Sequence, residues 1–398
     1  GLDRPHGLDF HEGRLFVAEG SAIVRFDFAE EGPGTARVVG EPVRIVEGIP
    51  AGGNHWSRTL RFGPDGGLYL TIGSSCNVCE EDDPRRAAMM RFEPDGSGGE
   101  IFATGLRNSV GFDWRPGTNA LFATDNGRDL LGDDFPPCEL NRIERGGFYG
   151  WPHANGWNEP DPDLGRGHEG AIARAVPPVH GFGAHTAPLG VTFVRGADPA
   201  ADLAGAALVA LHGSWNRTKK AGYRVVSLHW NEQGEIEERD FLTGFEQAED
   251  VIGRPVDVAE GPDGAFYVSD DYAGVIYRIG PKDGDGSALE GRRFERDRGA
   301  RPESTSTASL AALDPEKAAA LASQGEVLFA AYECGRCHLE AQASEGVVVR
   351  PLEQLSSRHD LASLESLLLV PPPPMPVYDL PEGERRALAV HLLRAYGD

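Results

Sequence analysis

Long apolar runs are missing from this 398-residue chain: no stretch approaches the 18 or more residues that a membrane-crossing helix needs. Positive charge is short as well, with 38 Lys and Arg against 62 Asp and Glu and a net charge of −24. Residues 314–398 alone carry 13 acidic and 7 basic side chains. Such a surface repels nucleic-acid phosphates and anionic membranes, so neither is an expected partner, which leaves neutral small molecules and basic proteins. Sulfur is sparse, at five cysteines and three methionines, whereas glycine is abundant at 52 residues. The length suffices for two domains and a substantial core.

Three of the five cysteines lie outside the most informative motif, Cys334-Gly335-Arg336-Cys337-His338. Cys-x-x-Cys-His is the attachment pattern of a c-type haem. Cys334 and Cys337 can form thioethers to both haem vinyl groups, and His338 can ligate the iron. The preceding residues 323–333 read as a short helix whose Val327, Leu328, Ala331 and Tyr332 could line one side of the porphyrin. A second axial ligand is usually methionine or histidine. Met375 follows the stiff run Pro371-Pro372-Pro373-Pro374 and is the candidate, with His359 and His391 as rivals; Met89 and Met90 lie in a distant segment. Pro381 to Tyr396 reads as a closing helix with Leu388, His391 and Leu392 on one face. This order resembles the small class I cytochrome c domains over residues 314–398. The resemblance implies covalent haem attachment in the periplasm or an equivalent compartment, hence a periplasmic or secreted protein. No signal peptide is visible, and the chain starts at Gly1 without methionine, as a processed or trimmed N-terminus would. In an oxidising setting Cys76 and Cys79 could close a tight disulfide, or Cys138 could pair with either. A zinc site there lacks a second CxxC or paired histidines.

Residues 1–280 repeat a unit of apolar strands separated by Gly/Pro/Asp turns. Arg14 to Ala18, Leu68 to Ile72, Ala120 to Thr124, Ala207 to Leu211 and Ala265 to Ser269 are corresponding middle strands, and the turns Gly63-Pro64-Asp65-Gly66 and Gly261-Pro262-Asp263-Gly264 precede two of them. Strand units recurring about every 50 residues signal a β-propeller, in which each blade covers its neighbour's apolar face. Five blades are visible. Residues 281–313, rich in Asp, Gly, Arg, Ser and Thr, read as a solvated linker to the tail.

The propeller segment also carries polar clusters in a recognisable order: His55 to Gly66 (HWSRTLRFGPDG), Gly105-Leu106-Arg107-Asn108, Asp125-Asn126-Gly127-Arg128-Asp129, Glu139-Leu140-Asn141 and Gly146 to Pro152. His185-Thr186-Ala187-Pro188-Leu189-Gly190, His212 to Arg217 and Gly253-Arg254-Pro255 follow. Over residues 1–280 this set resembles the soluble quinoprotein sugar dehydrogenases, the aldose and sorbosone dehydrogenase group, which binds pyrroloquinoline quinone (PQQ) and calcium on a six-bladed propeller. The resemblance implies an all-β six-bladed propeller at 1–280 followed by a small all-α cytochrome c domain at 314–398. It makes His55 the catalytic base, Arg107, Asn108, Arg217 and Arg254 the PQQ contacts, and the main-chain oxygens of Gly127 and Arg128 the calcium ligands. His185 and His212 either line the substrate mouth or support it from behind.

Chemistry asks for the same residue types independently. Taking a hydroxyl proton during hydride transfer needs a base near neutral pKa, three carboxylates need cations and amide donors, and calcium needs oxygen ligands. Two departures stand out. Where the family has an aspartate to orient the histidine, this chain has Ser74, which gives less electrostatic help. Pro5-His6-Gly7-Leu8 resembles the entry to the family's second blade, so the first blade either lies upstream of Gly1 or is supplied irregularly by residues 150–185. The expected activity is PQQ- and calcium-dependent oxidation of a sugar or alcohol, with electrons passing to haem c in the same chain and then to a cytochrome or respiratory-chain acceptor. A calcium-dependent propeller lactonase and a non-enzymatic electron-transfer protein with a docking propeller are the alternatives.

Overall fold

The computed structural model describes residues 2–397 apart from 33–34, 197–202, 281–312, 343–348, 350, 354, 370–374, 376–377 and 379. The expected linker, save residue 313, and the run Pro371–Pro374 lie outside the described residues. The chain divides into two compact units, one of sheets and one of helices.

Five antiparallel sheets follow one another in sequence. The first holds β1 (Leu8–His11), β2 (Arg14–Ala18), β3 (Ala22–Gly32) and β4 (Thr35–Glu47), in that order; the second holds β5 (Arg58–Phe62), β6 (Leu68–Ile72), β7 (Ala88–Phe92) and β8 (Glu100–Thr104). The third runs β9 (Phe112–Arg115), β10 (Ala120–Asp125) and β11 (Pro137–Ile143), and is completed by β14 (His180–Ala184) after an insertion. That insertion contains a short ladder of β12 (Ala154–Asn155) and β13 (Glu159–Pro160), and one helical turn, α1 (Glu169–Ile172). The fourth sheet is β15 (Pro188–Phe193), β16 (Ala207–Leu211), β17 (Arg224–Trp230) and β18 (Ile236–Leu242). After a small ladder of β19 (Glu246–Gln247) and β20 (Asp250–Val251), the fifth has β21 (Pro255–Glu260), β22 (Phe266–Asp270) and β23 (Val275–Ile279). This is the blade pattern of a propeller. Five blades are present among the described residues where six were expected, and residues 150–185 do not supply another: their only long strand, β14, joins the third sheet.

The apolar middle strands are buried because consecutive sheets pack face to face. Phe16, Ile23, Leu60, Leu68, Leu70 and Met90 pack between the first and second sheets, and Phe122, Leu140, Phe193, Val209 and Leu228 between the third and fourth. Each such side chain withdrawn from water contributes about 1.5–3 kcal/mol. Met89 and Met90 fill cores of this unit. The two near-identical turns act alike. Asp65 accepts the Gly67 N–H, the Tyr69 hydroxyl and Arg91; Asp263 accepts the Ala265 N–H, the Tyr267 hydroxyl and Arg278. Carboxylates also clip sheet to sheet. Asp9 accepts the N–H of Phe62, and Asp113 accepts that of Phe193 while pairing with Arg195 at 2.7 Å.

The helical unit comprises α2 (Pro315–Ala331), α3 (Gly335–His338), α4 (Leu355–Arg358), α5 (Leu361–Leu369) and α6 (Glu382–Ala395). Helix α2 starts eight residues before the expected 323, because Asp314 caps the N–H groups of Glu316 and Lys317 and Pro315 fits the first turn. Helices α2 and α6 cross closely at Gly325, where a Cβ would stand 2.2 Å from the Ala387 oxygen. Phe329, Leu361, Leu364, Leu368, Leu388 and Leu392 form the core, with Cys334 and Met375 packed against it. Among the described residues, no helix is long and apolar enough to cross a membrane.

Candidate functional site

The polar clusters converge at the ends of the second and third sheets. Strand β6 ends at Ile72, and at the next residue, Gly73, a Cβ would lie 2.5 Å from His55 Cβ and 2.8 Å from Asn108 Oδ1. The missing side chain is what lets His55 and Asn108 come together. His55 Nδ1 is 2.8 Å from Ser74 Oγ and 3.1 Å from the Ser74 carbonyl oxygen. Ser74 spends its single hydroxyl proton on the Cys76 carbonyl at 2.7 Å. Both Ser74 oxygens therefore accept from the imidazole, so Nδ1 carries the proton and Nε2 keeps its lone pair. Loss of hydration in this half-buried position, and next the positive charge of Arg107, push the His55 pKa well below its ordinary value; Arg58 and Arg86 add to the effect. The imidazole is thus neutral and basic at Nε2 near pH 7.

Arg107 is buried, and all five of its N–H groups are taken by protein oxygens. They go to Asn77 O (2.9 Å), Asn77 Oδ1 (2.8 Å), Asn126 O (3.1 Å), Gly127 O (2.9 Å) and Asp129 Oδ2 (2.9 Å). Toward an anion it offers charge rather than a free donor. The Gly127 oxygen, expected to hold calcium, accepts one of these N–H groups and keeps a second lone pair. Three guanidinium groups around one imidazole, in a chain of net charge −24, do suit a polyanionic cofactor.

Beneath Arg107 and Asn108 lies a buried carboxylate pair on facing positions of β10 and β11. Asp125 accepts the main-chain N–H of both Arg107 (2.9 Å) and Asn108 (2.6 Å). Glu139 takes the Asn141 amide at 2.9 Å. Burial, then the Asp125 charge, raise the Glu139 pKa to about 8. A carboxyl whose pKa rises on folding binds a proton more tightly in the native state, so it costs stability as pH climbs above its unfolded value. Glu139→Gln is accordingly expected to raise the melting temperature at pH 9 by several degrees and to leave it unchanged at pH 4; equal shifts at both pH values would refute the buried acid.

Arg128, expected only as a main-chain ligand, buries its side chain against the insertion. Its Nη1 lies 2.6 Å from both oxygens of Asp161, and Nη2 meets Asp163. Burial alone would raise the Asp161 pKa, but Arg128, Asn155 and two main-chain N–H groups hold it below normal. Arg254 donates to the main-chain oxygens of His212 and Gly213 and lies over the Tyr223 ring. His212 faces Asp271 at 3.0 Å, and His185 lies 3.9 Å from Asp129, the carboxylate that holds Arg107. Arg217 donates to the oxygens of Asp133 and Lys219, in a segment that groups with the second unit. None of the bonds tying His55, Ser74, Asn77 and Arg107 together involves it.

Of the open cysteine pairings, the structure forms Cys76–Cys79 and leaves Cys138 a buried thiol. In the helical unit Cys334 and Cys337 stand one helical turn apart at α3, neither in a disulfide, with His338 next in sequence. His391 packs against Phe329 and Tyr396, and His359 faces Ser363. Sequence reasoning missed Asn77, Asp161 and the Asp125–Glu139 pair. Asp125 and Glu139 stood in its motif clusters without a role, Asn77 stood between two cysteines, and Asp161 carried no local signal.

A β-propeller bearing a basic, histidine-centred cluster at the ends of neighbouring blades is the class of protein defined by this geometry. Residues 14–278 match the family model Glucose / Sorbosone dehydrogenase, and the chain belongs to that family. An uncharacterised protein of Borreliella burgdorferi is 30% identical over 289 residues, covering 70% of this chain and 76% of that protein. Two solved structures share the fold. The holo pyranose dehydrogenase PQQ domain of Coprinopsis cinerea is 24% identical, with a TM-score of 0.57 over 69% of this chain and 81% of its own. A Trichoderma reesei carbohydrate-active enzyme of family AA12, in its iodide structure, is 22% identical, with a TM-score of 0.58 over 69% and 80%.

Proposed function

We propose that the chain is a PQQ-dependent dehydrogenase that oxidises an aldose, a sugar aldehyde or an alcohol and hands the electrons to a haem c in its own tail. The observation that carries this reading is the neutral His55, its proton fixed on Nδ1 and its Nε2 lone pair available, beside a cluster of guanidinium charge. When bound, PQQ supplies the hydride-accepting carbonyl. His55 Nε2 takes the hydroxyl proton of the substrate as hydride leaves carbon, and Ser74 steadies the resulting imidazolium through Nδ1. Arg107, Arg58 and Arg86 offset the cofactor's negative charge, and Asn108 offers its carboxamide beside His55. The main-chain oxygens of Gly127 and Arg128 would hold a calcium ion in the same reading, and it would polarise the cofactor's reactive carbonyl.

In the tail, Cys334 and Cys337 would bind the haem covalently, with His338 and Met375 as axial ligands. The Cys76–Cys79 disulfide and the haem chemistry both suit an oxidising compartment, periplasmic or extracellular. A cytochrome or respiratory-chain component would then take the electrons onward.

The test uses the full chain made in a host that attaches haem c. With PQQ and Ca²⁺ added, one or more sugars of an aldose and alcohol panel should reduce the haem band without any dye, and omission of PQQ should abolish it. A chain that binds PQQ yet oxidises none of the panel, with or without dye, would refute the dehydrogenase reading. Dye-linked oxidation with no covalent haem would refute the electron outlet alone.

A further inference from the structure

The Cys76–Cys79 disulfide closes a four-residue loop directly behind His55. This loop has no strand or helix of its own, and its residues are only half-buried. Yet it supplies the fixed oxygens of the site. The Cys76 carbonyl takes the Ser74 hydroxyl proton, which obliges Ser74 Oγ to accept from His55. Asn77 takes Arg107 through both its carbonyl and its side-chain oxygen, and the same side chain bonds the main chain of Asp129 from both ends. Trp151 Nε1 reaches the Asn77 carbonyl from the insertion at 3.4 Å.

We propose that the Cys76–Cys79 disulfide is a positioning element for the base: by holding the Cys76 carbonyl and Asn77 in place it fixes the His55 tautomer and the Arg107 guanidinium, replacing the carboxylate that Ser74 lacks. The inference rests on His55 being the proton acceptor of the proposed oxidation. It also makes the site sensitive to thiols. A dithiol such as dithiothreitol would reduce the bond, Cys76 and Cys79 each gaining one electron and one proton while the dithiol closes to its cyclic disulfide. The thioether links of the haem would not be cleaved, since they hold no S–S bond to exchange.

The readout independent of turnover is the long-range ¹H–¹⁵N spectrum of the full chain without cofactor, with His55 assigned by its loss in His55→Ala. The expected oxidised protein shows one His55 tautomer, protonated at Nδ1. Cys76→Ser/Cys79→Ser, or dithiothreitol on the unaltered protein, should give mixed tautomers. In the PQQ-loaded protein either treatment should lower kcat about 10–100-fold with KM nearly unchanged. Adding Ser74→Asp to the double variant should restore most of the rate, and dithiothreitol should have no further effect on it. A single Nδ1–H tautomer and an unaltered kcat after reduction would overturn the proposal, and because reduction acts on already folded protein, misfolding of the double variant cannot mask that result. If no sugar is oxidised by the unaltered chain, the dehydrogenase reading fails by itself, and the tautomer spectrum still decides the role of the disulfide.

Discussion

His55→Ala should bind PQQ as tightly as the unaltered chain and lose about 10²- to 10⁴-fold in sugar-driven turnover, the usual loss on removing a general base. The proposed charge partners of the cofactor, Arg58, Arg86 and Arg107, are untouched by the change, so binding and rate should separate. The pH dependence follows from the lowered pKa. A base whose conjugate acid is disfavoured by burial and by Arg107 stays neutral as pH falls through the ordinary histidine value of about 6.5. The acid limb of kcat/KM should therefore lie below that value and should vanish, with most of the rate, in the alanine variant. Turnover within a few-fold of the unaltered enzyme would place the proton acceptor elsewhere.

The second large effect concerns stability. Asp161→Ala leaves the Arg128 guanidinium buried with only the exposed Asp163 as counter-ion. Breaking one side of a buried pair costs about 3–5 kcal/mol, which for a unit of this size corresponds to roughly 10 °C in melting temperature. Replacing both partners with apolar residues, as in Arg128→Met/Asp161→Leu, should cost far less, because no charge is left unpaired. Near-ultraviolet circular dichroism on heating distinguishes the cases. Equal losses in the single and double variants would show that Asp161 acts through its bonds to Asn155, Asp163 and Leu164 rather than through Arg128.

The middle strands were legible because each is apolar and bounded by Gly/Pro/Asp turns, and Asp65 and Asp263 show why those turns recur: one carboxylate holds a turn, a tyrosine and an arginine at once. His55 and Asn108 were legible as motif residues. What joins them was not. Asn77 reaches Arg107 across 30 positions, and Arg128 reaches Asp161 across 33. Such pairings depend on how sheets and insertion approach one another, and nothing local encodes them. The Gly127 oxygen, a motif position, accepts from Arg107 across 20 positions, another pairing with no local signal.

The close crossing of α2 and α6 at Gly325 bears on how the helical unit comes into being. Its first and last helices are separated by 50 residues, and the core between them exists only when both are present. During synthesis the segment Cys334–His338 emerges after α2 and before α6. In the finished unit burial raises the pKa of Cys334 to about 12 and leaves it a poor nucleophile. Chemistry on Cys334 is therefore easier before the unit closes than after.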